Sequence, residues 1–176
     1  MKTSITLIGF MGTGKTVVGK ALADKLGREF VEMDALIVQK AGKSIPEIFS
    51  AGGEITFREI EIEVTKEVAG KRNAVIACGG GVVLNKINTD RLKEECIIVY
   101  LTASPRVILK RTSGDKNGRP LLNATDRSVT IRELIKFRKP FYERAADIKI
   151  NTTKLDVNSV VARIISKVKE DESFRL

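Results

Sequence analysis

Residues Gly9-Phe10-Met11-Gly12-Thr13-Gly14-Lys15-Thr16 match the pattern G-x-x-x-x-G-K-[ST]. That spacing suits one task, which is holding a triphosphate. The glycines let successive backbone N–H groups turn inward around phosphate oxygens, and a helix N-terminus adds its positive dipole end. Lys15 is placed to reach the β- and γ-phosphates, and the Thr16 hydroxyl to ligate Mg²⁺. The alternative is a glycine-rich turn that binds nothing. The flanks argue against it: Ile5-Thr6-Leu7-Ile8 reads as a buried strand, and Val17, Val18, Ala21, Leu22 and Leu26 recur at helical spacing, so the loop joins a strand to a helix.

The chain contains no histidine, which removes the usual general base and the commonest zinc ligand. Any base must therefore be a carboxylate. Asp34 closes the second apolar run and is expected at the carboxyl end of the sheet, where α/β sheets bind ligands; a helix N-cap is its alternative role. Arg58 and Glu61 are three residues apart on a helix whose apolar positions are Phe57, Ile60, Val64 and Val68, so a surface ion pair worth a few tenths of a kcal/mol is the default reading. Gly79-Gly80-Gly81 follows the strand-like Val75-Ile76-Ala77-Cys78, where side-chain-free residues admit a ligand close to the backbone. Arg111 ends a helix, where a cation favourably meets the dipole. Arg138, read alone, is a solvated helix residue.

These residues need a scaffold, and the apolar pattern supplies one. Strand runs at 5–8, 29–33, 74–77, 97–101 and 148–150 are each separated from the next by helical stretches, which predicts a parallel sheet with helices on both faces. The last helix carries one apolar stripe, Val157, Val160, Val161, Ile164, Ile165 and Val168, capped by Asp156. Two stretches interrupt the alternation. In 34–70 three helical segments are expected, the second opening with the capping box Ser44-Ile45-Pro46-Glu47 and the third following a break at Gly52-Gly53. The stretch 112–126 is rich in Gly, Asn and Asp and longer than most connections, as expected of a lid.

A chain of 176 residues with 43% hydrophobic and 30% charged residues fits one soluble domain, 1–176, with a real core. No apolar run approaches the ~20 residues that span a bilayer, and no signal-peptide core precedes the first strand, so a cytoplasmic location without membrane contact is expected. Cys78 and Cys96 form no C-x-x-C pair and read as buried free thiols without chemistry. The net charge of +9 raises the possibility of nucleic acid, but the basic residues are scattered and no aromatic-studded basic motif appears. Anionic small substrates account for part of the charge.

The phosphate loop, Asp34, Phe57-Arg58-Glu59-Ile60-Glu61, Gly79-Gly80-Gly81, Arg119-Pro120-Leu121-Leu122 and Arg138-Lys139-Pro140-Phe141-Tyr142, in this order and spacing, resemble the shikimate kinase family over essentially the whole chain. The resemblance implies an α/β fold, the P-loop kinase three-layer sandwich with a five-stranded parallel sheet, in which 34–70 is the substrate-binding region and 112–126 the lid. It implies ATP-dependent phosphorylation of the 3-hydroxyl of shikimate, giving shikimate 3-phosphate and ADP, in aromatic amino-acid biosynthesis, by a monomer that uses Mg²⁺ and no nucleic acid. Nucleotide would be held by Gly12, Thr13, Gly14, Lys15, Thr16 and Val17, with Arg111 stacking on adenine and Arg119 reaching the transferring phosphoryl group. Shikimate would be held by Asp34, Arg58, Gly79, Gly80, Gly81 and Arg138, Glu61 steadying Arg58, and Lys15, Asp34 and Arg119 would be catalytic. Where the family usually has Asp-x-Asp after the second strand, this chain has Glu32-Met33-Asp34, so the acid associated with the metal's outer shell, Glu32, is one methylene longer. Alternatives are a kinase for another small hydroxy acid such as gluconate, and a non-enzymatic nucleotide switch or nucleic-acid-binding module.

Overall fold

The computed structural model describes residues 1–114 and 126–175. Five strands, β1 (Ser4–Ile8), β2 (Glu29–Glu32), β3 (Ala74–Ala77), β4 (Cys96–Thr102) and β5 (Ile148–Asn151), form one parallel sheet in the order β2-β3-β1-β4-β5. The central strand β1 pairs Ile5 with Val75 on one side and with Ile97 on the other. Every β1 residue is buried, and a central strand covered on both faces reads as a continuous apolar run rather than as an alternation.

Helices fill both faces. Helices α1 (Lys15–Leu26) and α7 (Val157–Lys169) place Val18, Leu22, Val160, Ile164 and Val168 against Ile5, Leu7, Ile97 and Val99. The opposite face receives α2 (Met33–Ala41), α3 (Ile45–Ala69), α4 (Lys86–Glu95) and α6 (Arg127–Ala145), through residues such as Ile37, Val64, Leu92 and Tyr142. Each fully buried aliphatic side chain here contributes about 1.5–3 kcal/mol. Helix α5 (Pro105–Thr112) packs with α6 over Phe10 through Ile108 and Ile131. The three layers and the five parallel strands agree with the sequence reading, as does the Asp156 cap on α7, whose carboxylate accepts from the Ser159 N–H at 2.8 Å.

One boundary differs. Strand β2 stops at Glu32, and Met33, fully buried against α3, opens α2 instead of ending the strand. Asp34 therefore sits in the first turn of α2 and not at its N-cap, a position held by Glu32. The break expected at Gly52-Gly53 is present: within α3 two helices meet at a kink at Gly53, whose φ of 70° and ψ of −171° leave helical geometry. The capping box is formed, with the Ser44 N–H donating to the Glu47 carboxylate at 2.7 Å. Of the expected lid, 115–125 lie outside the described residues, Arg119 among them. Its two flanks are tied together, because Arg127 Nη2 donates to the Thr112 carbonyl at 3.1 Å.

The phosphate loop leaves β1 at Gly9, where φ is 148° and a Cβ would overlap the carbonyl oxygen of Leu101 in the neighbouring strand. An L-residue there meets both backbone strain and a clash with main-chain atoms that cannot swing aside, each worth about 1–3 kcal/mol. Gly9→Ala is expected to lower folding stability by more than about 2 kcal/mol in urea unfolding. A midpoint equal to that of the wild type would show that the loop shifts to accommodate the methyl group.

Candidate active site

The carboxyl ends of β1, β2 and β3 open into a cavity of about 420 Å³, bounded on one side by the phosphate loop and on the other by α2 and α3. Loop residues Gly12, Gly14, Lys15, Thr16 and Val17 line it, together with Glu32, Asp34, Arg58, Gly79, Gly80, Gly81 and Arg138. Sequence-predicted residues from five separate segments thus meet in one place. Thr13 is buried behind the loop, its hydroxyl donating to the Phe10 carbonyl at 2.8 Å.

Lys15 Nζ donates to the carbonyls of Gly9 and Phe10 at 2.9 and 3.0 Å, so the ammonium is held over the loop at the head of α1. Gly12 and Gly14 take φ of 76° and 99°, the left-handed region that lets the loop curl inward. Arg111, in the last turn of α5, donates from Nη1 to the Gly12 carbonyl at 3.2 Å and from Nη2 to the Thr152 carbonyl at 3.3 Å. It braces the loop against the segment after β5, a link the sequence did not signal because its partners lie far apart along the chain.

At the opposite wall Arg58 Nη1 donates to Glu61 at 2.8 Å, and Arg58 Nη2 and Nε donate to Glu54 at 2.9 and 3.2 Å. The surface-pair reading fails here, because Glu61 is fully buried. Burial raises the Glu61 pKa while the charge of Arg58 pulls it down. Glu54 was missed as a partner, although its place four residues before Arg58 on one helix face is a signal in itself. Arg138, which reads from sequence as solvated, is 3% exposed, and its guanidinium lies 5.8 Å from the centre of the Phe10 ring. The glycine run makes room for these groups. A Cβ on Gly79 would come within 3.0 Å of Asp34 Oδ1 and 3.2 Å of Glu61 Oε1, and one on Gly81 would overlap the Arg58 guanidinium.

Glu32 lies beside Thr16, with which it shares a hydrogen bond, and near Asp34 and Lys15. Burial is the main cause that raises its pKa, with Asp34 adding to it and Thr16, Lys15 and Lys20 opposing. A hydroxyl backed by a partly buried carboxylate is a donor set that fits a hard divalent cation. Such a cation keeps several waters and draws other ligands from nucleotide phosphates, so it needs no protein cage, and none of three or more His, Cys, Asp or Glu exists among the described residues.

The phosphate loop and the facing arginines make this a site for phosphoryl transfer to a small anion, and the comparisons with known proteins give the lineage. The family model described as Shikimate kinase matches residues 11–169. The chain belongs to the shikimate kinase family. The shikimate kinase of Pelotomaculum thermopropionicum is 44% identical over 167 residues, covering 95% of this chain and 96% of that protein. That of Thermodesulfovibrio yellowstonii is 47% identical over 164 residues, covering 93% and 94%. Among solved structures, shikimate kinase from Acinetobacter baumannii in complex with shikimate superposes with a TM-score of 0.93 at 37% identity, covering 98% of this chain and 96% of that one. A gluconokinase from Sinorhizobium meliloti, at a TM-score of 0.56 and 16% identity, shares the fold alone.

The raised pKa of Glu32 has a sign that can be checked. A group whose folded pKa lies above its unfolded value favours the protonated native state, so stability is lost as pH rises from about 4.3 through the folded value, and the loss is complete above it. Glu32→Gln removes that loss. Metal-free variant protein is expected to melt above wild type at pH 7, the two converging near pH ~4. Melting curves whose separation stays the same at both pH values would show that Glu32 carries no burial penalty.

Proposed function

We propose that this member of the shikimate kinase family binds ATP on the Gly9–Thr16 loop and shikimate between Asp34, Arg58, Arg138 and the Gly79–Gly81 turn, and transfers the γ-phosphoryl group to the 3-hydroxyl. The products are shikimate 3-phosphate and ADP. The observation that carries this reading is one cavity with a phosphate loop on one wall and two arginines, Arg58 and Arg138, on the other. A planar guanidinium matches a carboxylate in two parallel hydrogen bonds, which suits an acceptor that is a carboxylic acid.

Phosphoryl transfer asks the protein mainly for alignment and for neutralisation of charge spread over the transferring group. Lys15 and the loop amides supply positive potential at the β- and γ-phosphates, and we assign Arg119 the same task from the lid. Asp34 projects from the first turn of α2 into the cavity. It orients the attacking hydroxyl and accepts its proton as the O–P bond forms, in a chain where no histidine can serve. Arg111 borders the loop on the side assigned to adenine, and Val17, 55% exposed at the start of α1, borders the nucleotide. Thr16 would hold Mg²⁺ with Glu32 in its outer shell, and the ion would supply charge neutralisation at the nucleotide phosphates. Residues 34–70 form the substrate-binding region and 112–126 the lid of a single domain acting as a cytoplasmic monomer. No helix among the described residues is long and apolar enough to cross a membrane.

A coupled assay of ADP release with shikimate, quinate, gluconate and nucleoside monophosphates tests the assignment. Shikimate is expected to give a kcat/KM at least ~100-fold above gluconate, because the wrong acceptor leaves buried polar groups unmatched. Similar turnover of both acids would overturn it. Within the same assay, Arg58→Lys and Arg138→Lys should each raise the shikimate KM by ~10-fold or more with the ATP KM within ~2-fold, since lysine keeps the charge and loses the fork. A rise in the ATP KM instead would move these arginines to the nucleotide half of the cavity.

A further inference from the structure

Helix α6 carries two buried polar residues on one face, Arg138 at 3% and Tyr142 at 1% exposure. Arg138 lines the substrate cavity. Tyr142 stands behind it, its ring stacked on Tyr100 with centroids 4.8 Å apart and planes at 17°. The Tyr142 hydroxyl donates to the carbonyl of Gly80, and the Arg138 guanidinium hydrogen-bonds the same side chain. Burial pushes the phenol's pKa up, with Arg138 pulling it back only in part, so the hydroxyl keeps its proton and remains a donor at working pH.

This contact falls on a glycine run whose Gly79 and Gly81 carbonyls accept from the Val82 and Leu84 N–H groups at 3.2 and 3.0 Å, while the Gly80 carbonyl between them is held by Tyr142. Three consecutive glycines have more backbone freedom than any other residues. Nor is the peptide between Gly80 and Gly81 wedged by sterics: the nearest neighbours of a Cβ built on Gly80, the Gly9 carbonyl, the Met11 N–H and Arg138 Nη1, lie at the ordinary distances of 3.6, 3.6 and 3.7 Å. The peptide bond is trans, so its C=O and N–H point in opposite directions. With the Gly80 carbonyl turned onto Tyr142, the Gly81 N–H points away from Tyr142, and both glycines line the cavity.

We infer that Tyr142 is a positioning residue for the phosphoryl acceptor: its hydroxyl fixes the Gly80–Gly81 peptide so that an N–H donor faces the bound acid, and in the same contact it holds Arg138 at the acid's carboxylate. The inference rests on shikimate as the occupant of this cavity. Tyr142 does not line the cavity and acts through two groups that do. A flipped Gly80–Gly81 peptide would present a carbonyl oxygen to an anion, and loss of the hydroxyl makes that flip accessible.

The test is steady-state kinetics and thermal unfolding of the full chain as wild type, Tyr142→Phe and Tyr142→4-aminophenylalanine. Phenylalanine keeps the ring and its stack on Tyr100 and removes only the hydroxyl. It is expected to raise the shikimate KM by about 10-fold, the scale of one buried hydrogen bond, with the ATP KM within about twofold. The amino variant restores an N–H donor to the Gly80 carbonyl and should bring the shikimate KM back to within about threefold of wild type. The inference is overturned if Tyr142→Phe leaves the shikimate KM unchanged, if both KM values rise together with a fall in the melting temperature or the variant does not fold, or if the amino variant fails to rescue. A wild type that does not turn over shikimate at all overturns the functional assignment itself, a result visible before any variant is compared.

Discussion

The structure depends on β1 being buried along its whole length between β3 and β4. A strand hydrogen-bonded on both edges and covered on both faces has no freedom in register, so whatever leaves its carboxyl end starts from a fixed point. The phosphate loop leaves there, and its first residue passes against the backbone of Leu101. The same constraint sets the neighbouring turn, since the Cys78 N–H bonds to the Leu7 carbonyl at 3.1 Å and delivers Gly79 beside the loop. The loop is braced from its other flank by Thr152, whose hydroxyl donates to the Thr13 carbonyl at 3.0 Å. The phosphate loop and the glycine turn are thereby built on adjacent strand ends.

The wall that carries Arg58 is held at a cost. Glu61 is fully buried, and removing a carboxylate from water is offset only in part by the Arg58 guanidinium it meets and the nearby charge of Arg138. A buried ion pair of this kind is poor evidence of stabilisation and better evidence of a task. Glu54 and Glu61 between them engage Nε, Nη1 and Nη2 of Arg58, which fixes a long, rotamer-rich side chain before any ligand arrives. The substrate then loses less binding energy to ordering the protein. The glycines at 79 and 81 belong to the same arrangement, because any larger residue would take the volume that Asp34, Glu61 and Arg58 occupy.

Most of the scaffold was legible because burial in a regular element leaves a periodic trace. The five strands were located to within a residue or two, and the α7 stripe and its Asp156 cap follow from side-chain partition alone. Local chemistry was legible as well, in the phosphate loop and the Ser44–Glu47 box. The burial of Arg138 and Glu61 was not, since a charged residue on a helix reads as solvated, and only the family resemblance gave these two residues roles at the site. The start of α2 was misplaced by the same kind of signal: Met33 extends an apolar run whether it ends a strand or begins a helix. The bracing of the loop by Arg111 and Thr152, and the contact of Tyr142 with Gly80, join residues 40 or more positions apart, and periodicity is blind to such pairs.

The lack of histidine bears on how protons leave the site. Burial lifts the other side chains that might titrate near neutrality out of range: Cys96 to about 11, Tyr100 to about 12, and Cys78 well above its ordinary value. What buffering the side chains retain falls to carboxylates such as Glu32 and Glu61, whose pKa values burial raises. Phosphorylating a hydroxyl sets a proton free with every turnover. In this chain that proton has no imidazole relay to follow, and the groups left to carry it are carboxylate and phosphate oxygens.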